Sequence, residues 1–266
     1  MKKAFYSVII LFSLSFTACQ KNPDDKSFNL FSIEDDKKLG AQVDAEIHSK
    51  PQEFPILDPA QYPAAYNYIN KIRDSILAGG NVFYANEFPW KMHIIHDDNT
   101  LNAFATPGGY VYVYTGLIKF LTAEHELAGV LAHEMAHADR RHTTDQLTKI
   151  YGLSILLNVV FGNNPNLLAD IAATLVTLKF SRNDEREADE YSVIYLCPTS
   201  YMADGAAAFF EKMINQGGGG APPEFLSSHP NPGNRVADIQ AKADALNCTG
   251  NNTYDQAYAA FKNTLP

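Results

Sequence analysis

Apolar residues recur at helical spacing in two stretches near the N-terminus, residues 33–48 and 59–77, and each stretch ends close to a proline or a glycine. Two later stretches, residues 90–96 and 109–114, are rich in β-forming residues, and the second of them alternates Tyr and Val after a Pro-Gly turn signal. We expect these two strands to pair as a small sheet.

Two histidines, His93 and His96, lie in the first predicted strand. Successive side chains of a strand point to alternate faces, so a separation of three residues places these two imidazoles on opposite sides. We therefore interpret both as structural residues rather than as ligands of one metal ion.

A third helix is predicted to begin near Thr122, whose hydroxyl can cap it, and to run to about Leu147. Two apolar segments follow, residues 147–161 and 167–180, on either side of a turn rich in Asn, Gly and Pro. Both are shorter than the roughly 20 residues that a membrane-spanning helix needs. The pattern therefore predicts a buried helical hairpin.

The N-terminus has the character of a targeting segment. Two lysines precede an apolar run over residues 4–16, and small residues stand directly before Cys19. This order resembles a bacterial lipoprotein signal, which implies removal of residues 1–18, acylation of Cys19, and a polar tether over residues 19–30. An ordinary secretory signal, with an incidental cysteine, is the alternative.

Composition limits the remaining possibilities. The 266 residues are 46% hydrophobic, enough for one sizeable core, so residues 31–266 are predicted to form a single domain. The net charge of −9 and the absence of a basic stripe argue against nucleic acid as a partner. In an oxidising compartment Cys197 and Cys248 can form a disulfide, although two free thiols remain the alternative.

The strongest chemical signal is the segment His133-Glu134-Met135-Ala136-His137. At about 3.6 residues per turn, the two histidines share one helix face and can reach one ion, with the glutamate beside it. His142 lies about 140° from that face, so we assign it to packing or hydrogen bonding. A hydrolytic zinc site is the favoured interpretation.

Metzincins are excluded as a class. They place a glycine and a histidine at fixed positions after the second ligand. Arg140 and Thr143 stand at those positions in this sequence.

A catalytic zinc site with two histidines needs a third protein ligand and an open position. The downstream carboxylates are concentrated in residues 184–190, at a predicted helix start that Ser181 or Asn183 can cap. Glu185 and Asp189 are four residues apart and share a face, so one can bind the metal while the other orients a ligand's second nitrogen. Taken alone, the segment is typical of a solvated acidic helix.

In combination, these motifs resemble the M48 family of zinc metallopeptidases. Residues 102–113 are similar to the strand that precedes the family's metal helix, and Ser228-His229-Pro230 with Arg235 is similar to its C-terminal His-Pro element. The resemblance covers roughly residues 90–240, with the motifs in the family's order.

The resemblance implies a fold of the α+β class, mainly α: a zincin-like metalloprotease domain with a small β-sheet packed against the metal-binding helix. It implies one Zn²⁺ per chain, bound by His133, His137 and Glu185. Glu134 is then the general base that takes a proton from the attacking water.

The resemblance also gives roles to residues around that centre. Asp189 and Arg235 are expected to support the ligands from behind. His229 is expected either to occupy the open coordination position or to stabilise the transition state, whereas a simple turn at His229 is the alternative. The strand through Gly109, Tyr110, Val111 and Tyr112 is predicted to be the edge along which an extended substrate pairs.

The family resemblance therefore implies a zinc endopeptidase of misfolded or unassembled cell-envelope proteins, and the resemblance to lipoprotein signals implies a lipid anchor in the outer membrane, with the domain facing the periplasm or, alternatively, the cell surface. A chaperone-like or adaptor protein that retains a structural metal is the alternative from another class. Glu134 favours catalysis, because a binding module has no need of a general base. A prenyl-protein protease requires a membrane-embedded chamber that the short apolar segments do not predict.

Overall fold

A computed structural model describes residues 31–161, 164–216, 224–229 and 234–266. The predicted signal peptide, Cys19 and the tether lie outside the described residues. The described chain is mainly helical with one small sheet, which confirms the predicted α+β class. Its helices are α1 (Ile33–His48), α2 (Pro63–Ala78), α3 (Thr115–Phe120), α4 (Glu124–Asp139), α5 (His142–Tyr151), α6 (Leu153–Phe161), α7 (Pro165–Val176), α8 (Arg182–Leu196), α9 (Gly205–Gln216), α10 (Glu224–Ser228), α11 (Arg235–Ala245) and α12 (Asp255–Lys262). Its strands are β1 (Lys91–Ile95), β2 (Ala103–Thr106) and β3 (Tyr110–Tyr114).

The first predicted helix is confirmed with the same bounds as α1. The hydroxyl of Ser32 accepts a hydrogen bond from the Asp35 N–H at 3.1 Å, and the Asp35 carboxylate accepts one from the Ser32 N–H at 2.9 Å. This reciprocal capping fixes the start of the helix. Helix α2 begins four residues later than predicted, because residues 59–61 form a turn in which Asp58 accepts a hydrogen bond from the Ala60 N–H.

The sheet has the strand order β1-β3-β2. The expected pairing of the two sequence-predicted strands is confirmed, with β1 parallel to β3, while β2 runs antiparallel along the other side of β3. Strand β3 is therefore central and already paired on both sides. The prediction that Gly109, Tyr110, Val111 and Tyr112 form a substrate-binding edge is wrong for this reason.

The sheet separates two apolar cores. Val111 and Val113 of β3 belong to the core that contains α4, whereas Tyr110, Tyr112 and Tyr114 belong to the core that contains α1 and α7. This division follows from the alternation of side chains along a strand. The motif helix and the N-terminal helix consequently lie on opposite faces of the sheet.

Helix α4 is fully buried and starts differently from the prediction. The Thr122 hydroxyl does not cap it. Instead, the Glu126 carboxylate accepts hydrogen bonds from the backbone N–H groups of Thr122 at 2.6 Å and Ala123 at 3.2 Å. A carboxylate in the first turn also complements the positive end of the helix dipole.

The same helix ends at Asp139 rather than near Leu147. Arg141 adopts a left-handed backbone conformation with φ of 63°, which interrupts the helical path before α5 begins. Its guanidinium donates to the buried Asp36 carboxylate at 2.7 Å and to the Phe31 carbonyl at 2.6 Å. These contacts with the start of α1 hold the break in place.

The predicted helical hairpin corresponds to α6 and α7, but it is only partly buried. Leu153 and Leu157 of α6 are 59% and 48% exposed, whereas Ile171 and Ala172 of α7 are buried. Among the helices of the described ranges, none combines the length and the apolar character that a membrane span requires.

Helix α8 begins at a capping box formed by Ser181 and Asp184, so of the two predicted caps Ser181 is the one that caps the helix. Its C-terminal residue is followed by Cys197, which forms a disulfide with Cys248 beyond α11. The predicted disulfide is therefore present, and it ties the C-terminal segment to the helix that carries Glu185.

Candidate metal centre

Helices α4 and α8 bring three of the predicted ligands together in the interior. His133, His137 and Glu185 are all completely buried. Their imidazole Nε2 atoms lie 3.1 Å apart. The Glu185 carboxylate oxygens lie 3.6 Å from Nε2 of His133 and 3.5 Å from Nε2 of His137.

His229, directly after α10, contributes a fourth nitrogen to the same group. Its Nδ1 lies 3.0 Å from Oε1 of Glu185 and 3.4 Å from Nε2 of His133. The ring stacks on Phe225, with 4.3 Å between centroids, and is 1% exposed. The Phe225 N–H donates to the Leu101 carbonyl at 3.1 Å, which fixes α10 beside β2.

These four donors fit a zinc ion. With bonds of about 2.0–2.1 Å, the donor atoms of a tetrahedral site lie about 3.3 Å apart. The separations given above, from 3.0 to 3.6 Å, are close to that value, with Glu185 facing His137 and His229 through Oε1 and His133 through Oε2. Imidazole nitrogens with one carboxylate oxygen are also a donor set that zinc prefers. The four side chains therefore form a cage that could hold one metal ion.

Glu134 lies beside this cage with an unusual environment. It is completely buried, and a hydrogen bond from the Ala105 backbone N–H of β2 favours its ionised form. Oε1 lies 3.4 Å from Nε2 of His229. Burial, with the neighbouring Glu185 charge, raises the pKa of Glu134 to about 7. A carboxyl poised near neutral pH suits a general base.

Asp189 lies behind His133, whereas Arg235 lies beside the donor atoms themselves, with its Nη2 3.3 Å from Nε2 of His133. Oδ1 of Asp189 lies 3.0 Å from Nδ1 of His133. The Arg235 guanidinium donates to both Asp189 oxygens, at 2.7 and 2.8 Å, and to Oε2 of Glu185 at 2.8 Å. One cation thus holds both carboxylates.

The charge states of the donors follow from this arrangement. Burial opposes ionisation of Glu185, but the imidazoles of His229 and His137 outweigh it and hold the pKa of Glu185 well below its usual value. Burial also lowers the pKa of His137 and of His133. An ionised carboxylate and neutral imidazoles are the forms that bind a metal, and Glu185, His133 and His137 are shifted toward them. His229 differs: burial opposes its protonation, but the Glu185 and Glu134 charges outweigh burial and raise the pKa of His229, which favours its imidazolium form in the metal-free protein.

The surroundings of His137 include two residues, Glu187 and Phe180, that the sequence reasoning missed. Nδ1 of His142 lies 3.1 Å from Nδ1 of His137, and Nε2 of His142 lies 3.2 Å from Glu187. His142 was assigned to packing or hydrogen bonding, which the structure confirms, but Glu187 was given no role. The Phe180 ring stacks on His137 at 3.8 Å. The local sequence contains no signal for Phe180, because the contact depends on the path from α7 to α8.

Among the described residues, the predicted substrate strand, β3, is the central strand of the sheet and has no free edge beside this centre. The strand adjoining α4 is β2, an outer strand of the sheet. The Thr143 hydroxyl donates to the Ala105 carbonyl of β2 at 3.2 Å. Pro230, the second residue of the His-Pro pair, lies outside the described residues.

Comparisons with known proteins agree with this geometry. The family model described as Peptidase family M48 matches residues 66–243. The chain is 27% identical over 220 residues to the mitochondrial metalloendopeptidase OMA1 of Schizosaccharomyces pombe, covering 81% of this chain and 63% of that protein. It is 32% identical to OMA1 of Arabidopsis thaliana over 59% of this chain and 32% of that protein. It is 28% identical to the beta-barrel assembly-enhancing protease of Escherichia coli strain K12, over 76% of this chain and 44% of that protein. The matches thus span from about a third to under two thirds of these relatives.

Proposed function

The chain belongs to peptidase family M48, and we propose that it is a metalloendopeptidase that uses zinc to cleave misfolded or unassembled proteins of the bacterial cell envelope. The observation that carries this proposal is the buried group of three histidines and Glu185 with the buried Glu134 carboxylate beside it. Cleavage by such a site needs a metal, a base and a position for the peptide carbonyl, and each has a candidate among the described residues.

We assign His133, His137 and Glu185 to zinc as the permanent ligands. When bound, zinc lowers the pKa of water and polarises a peptide carbonyl. Glu134 accepts the proton of the attacking water and passes it to the departing amine. Asp189 and Arg235 keep the ligands in register, because Arg235 holds Asp189 behind His133 and binds Glu185 directly.

His229 makes the described conformation a closed form. A catalytic zinc site keeps a position open for water or substrate, and here Nδ1 of His229 stands at the fourth donor position. Its Nε2 also approaches the Glu134 carboxylate. In this proposal His229 leaves the cage before substrate enters. The closed form therefore represents a latent protease.

The substrate is proposed to pair with β2, because β3 is already paired on both sides. Strand β2 is an outer strand and packs against α4. A substrate N–H would replace the Thr143 hydroxyl as the hydrogen-bond donor to the Ala105 carbonyl. Main-chain pairing of this kind accepts many side chains, which suits unfolded substrates.

The cellular setting is proposed from three observations. The Cys197–Cys248 disulfide fits an oxidising compartment. The N-terminal sequence resembles a lipoprotein signal, which would acylate Cys19 and hold the domain at the outer membrane facing the periplasm. Several relatives are bacterial proteases named for enhancing β-barrel assembly, although others are mitochondrial.

The closed cage favours a second candidate function, that of a binding protein with a structural metal site. Structural zinc sites have four protein ligands and no open position. A chaperone-like or adaptor protein would use such a site to hold its shape. The fully buried Glu134 carboxylate argues against this alternative, because an apolar residue would cost less there in a site that only holds its shape.

The two candidates are separated by a cleavage assay with a matched set of proteins. The set contains four zinc-loaded proteins: wild type, Glu134→Gln, His229→Ala and the double variant. Each is incubated with an unfolded outer-membrane barrel protein and, separately, with the same barrel protein folded in micelles. Mass spectrometry then counts the fragments. The protease proposal predicts fragments of the unfolded substrate only, and only from proteins that retain Glu134. Binding without cleavage by all four proteins would support the adaptor candidate instead.

A further inference from the structure

A second group of metal-ligand side chains lies on the other face of the sheet. Asp44 and His48 are four residues apart on α1, so both project from one helix face toward His93 of β1. Oδ1 of Asp44 lies 3.0 Å from Nε2 of His93 and 3.2 Å from Nδ1 of His48. A ligand atom from each residue lies within 4.8 Å of the other two.

The separations are compatible with a shared ion. Donors around one zinc ion lie about 3.3 Å apart, close to both distances from the Asp44 oxygen, and the two imidazoles also lie within 4.8 Å of each other. Both rings therefore approach the same carboxylate oxygen, so a single ion beside Oδ1 of Asp44 could contact all three residues.

The surroundings hold these side chains in position. The Tyr112 hydroxyl donates to Oδ1 of Asp44 at 2.6 Å, and its ring stacks on His93 with 4.8 Å between centroids. The His48 and His93 rings meet edge to face at 4.9 Å. A hydrogen bond to a ligating carboxylate is the kind of outer contact that orients metal ligands.

We propose that Asp44, His48 and His93 bind a second divalent transition-metal ion, with zinc as the expected occupant. Two imidazoles and one carboxylate supply three ligands, and the 44% exposed side chain of His48 leaves the remaining position to water. The Nδ1 of His48 also lies 2.7 Å from the Asp44 carbonyl, and because the ring is half exposed it can turn from that contact to the ion.

The site would tie α1 to the sheet. Asp44 and His48 belong to the N-terminal helix, whereas His93 belongs to β1, and the sequence distance between them is about 45 residues. An ion shared by the two elements stabilises their docking by its binding free energy. The sheet separates this site from the centre on α4, so the inference does not depend on the proposed function.

The alternative is a hydrogen-bonded cluster in which protonated imidazoles pair with Asp44. Such a cluster binds no zinc, so stoichiometry separates the two cases. His48→Ala removes a half-exposed ligand on the helix surface and leaves the buried His93 in place. His96→Ala is the matched control, because His96 is an exposed histidine next to the same strand and outside the cluster.

The experiment compares the intact wild type, His48→Ala and His96→Ala after equilibration at one buffered free zinc concentration. Zinc per chain is measured by elemental analysis, and the zinc-induced rise in Tm is recorded in parallel. We expect wild type and His96→Ala to hold one more zinc per chain than His48→Ala and to show a larger rise in Tm. Equal zinc content and equal Tm rise in all three would overturn the proposal. The difference in zinc content between wild type and His48→Ala still tests this site even if the centre on α4 binds no zinc.

Discussion

Nε2 of His229 lies 3.4 Å from Oε1 of Glu134, while Nδ1 of the same ring lies among the donors of the metal cage. One imidazole therefore contacts both the proposed base and a proposed metal ligand, Glu185. Because both contacts use the same ring, a single movement of His229 would open the fourth position and free the carboxylate together.

Removing this ring is predicted to increase proteolysis. His229→Ala vacates the fourth donor position without touching the three permanent ligands. If the closed form holds about 90% of the molecules, its loss raises the rate of cleavage of an unfolded protein about tenfold. The rate is measured with a fluorescent casein at saturating zinc. A fall in rate, with zinc content unchanged, would show instead that His229 assists the transition state.

The support behind the donors is predicted to depend on the forked geometry of arginine. Arg235→Ala leaves two buried carboxylates without their cation, which we expect to lower the free energy of unfolding by about 3–5 kcal/mol. Arg235→Lys keeps the charge but cannot bind both carboxylates in the same way. We expect its zinc affinity to fall about 10–100-fold, as for other outer contacts of metal sites.

Urea unfolding and competition with a zinc chelator provide the two readouts for Arg235. The exposed Arg186 serves as the control, because Arg186→Ala removes one arginine charge from α8, the helix that carries Glu185 and Asp189, at a side chain that donates to Asn183 instead of the cage. Equal zinc affinity in Arg235→Lys and wild type would contradict the positioning role.

The pKa of Glu134 predicts a pH dependence of stability in the metal-free protein. Burial raises this pKa from 4.5 to about 7, so between these values the native state binds more protons than the unfolded state. The contribution of Glu134 to the free energy of unfolding is therefore fully present below pH 4.5 and is lost as the pH rises through 7. The loss is about 3 kcal/mol. Glu134→Gln lacks the titration, and the difference in unfolding free energy between the two proteins should grow in its favour from pH 4 to pH 8. A constant difference would contradict the raised pKa.

The disulfide is predicted to contribute strongly to stability. It links residues separated by 51 positions, and closing a loop of this length restricts the unfolded chain by about 4 kcal/mol. The double variant Cys197→Ala/Cys248→Ala should lose up to that amount in urea unfolding. Reduced wild type should match the double variant. No change in either would show that the C-terminal segment is held by packing alone.

Much of the helical framework could be predicted because its signals are local. The bounds of α1 follow from a capping box within four residues, and His133 and His137 share a face through helix geometry alone. The end of α4 could not be predicted in the same way. It depends on Arg141 meeting Asp36, a contact between residues 105 positions apart.

The error over the substrate strand has a similar cause. The alternation in β3 correctly indicated a strand, but whether a strand is central or peripheral depends on its neighbours. Strand β2 is only four residues long and carries Ala103 and Ala105, which are weak strand signals. The position of His229 also required the fold, because α10 must dock beside β2 before the ring can reach Glu185.

The account rests on one metal ion held by His133, His137, Glu185 and His229. The most direct test is an anomalous difference map from crystals of the zinc-loaded protein, with data collected on both sides of the zinc absorption edge. We predict a peak within about 2.0–2.2 Å of all four donor atoms. The absence of a peak there, or a peak from which His229 is turned away and replaced by water, would contradict the closed site described above.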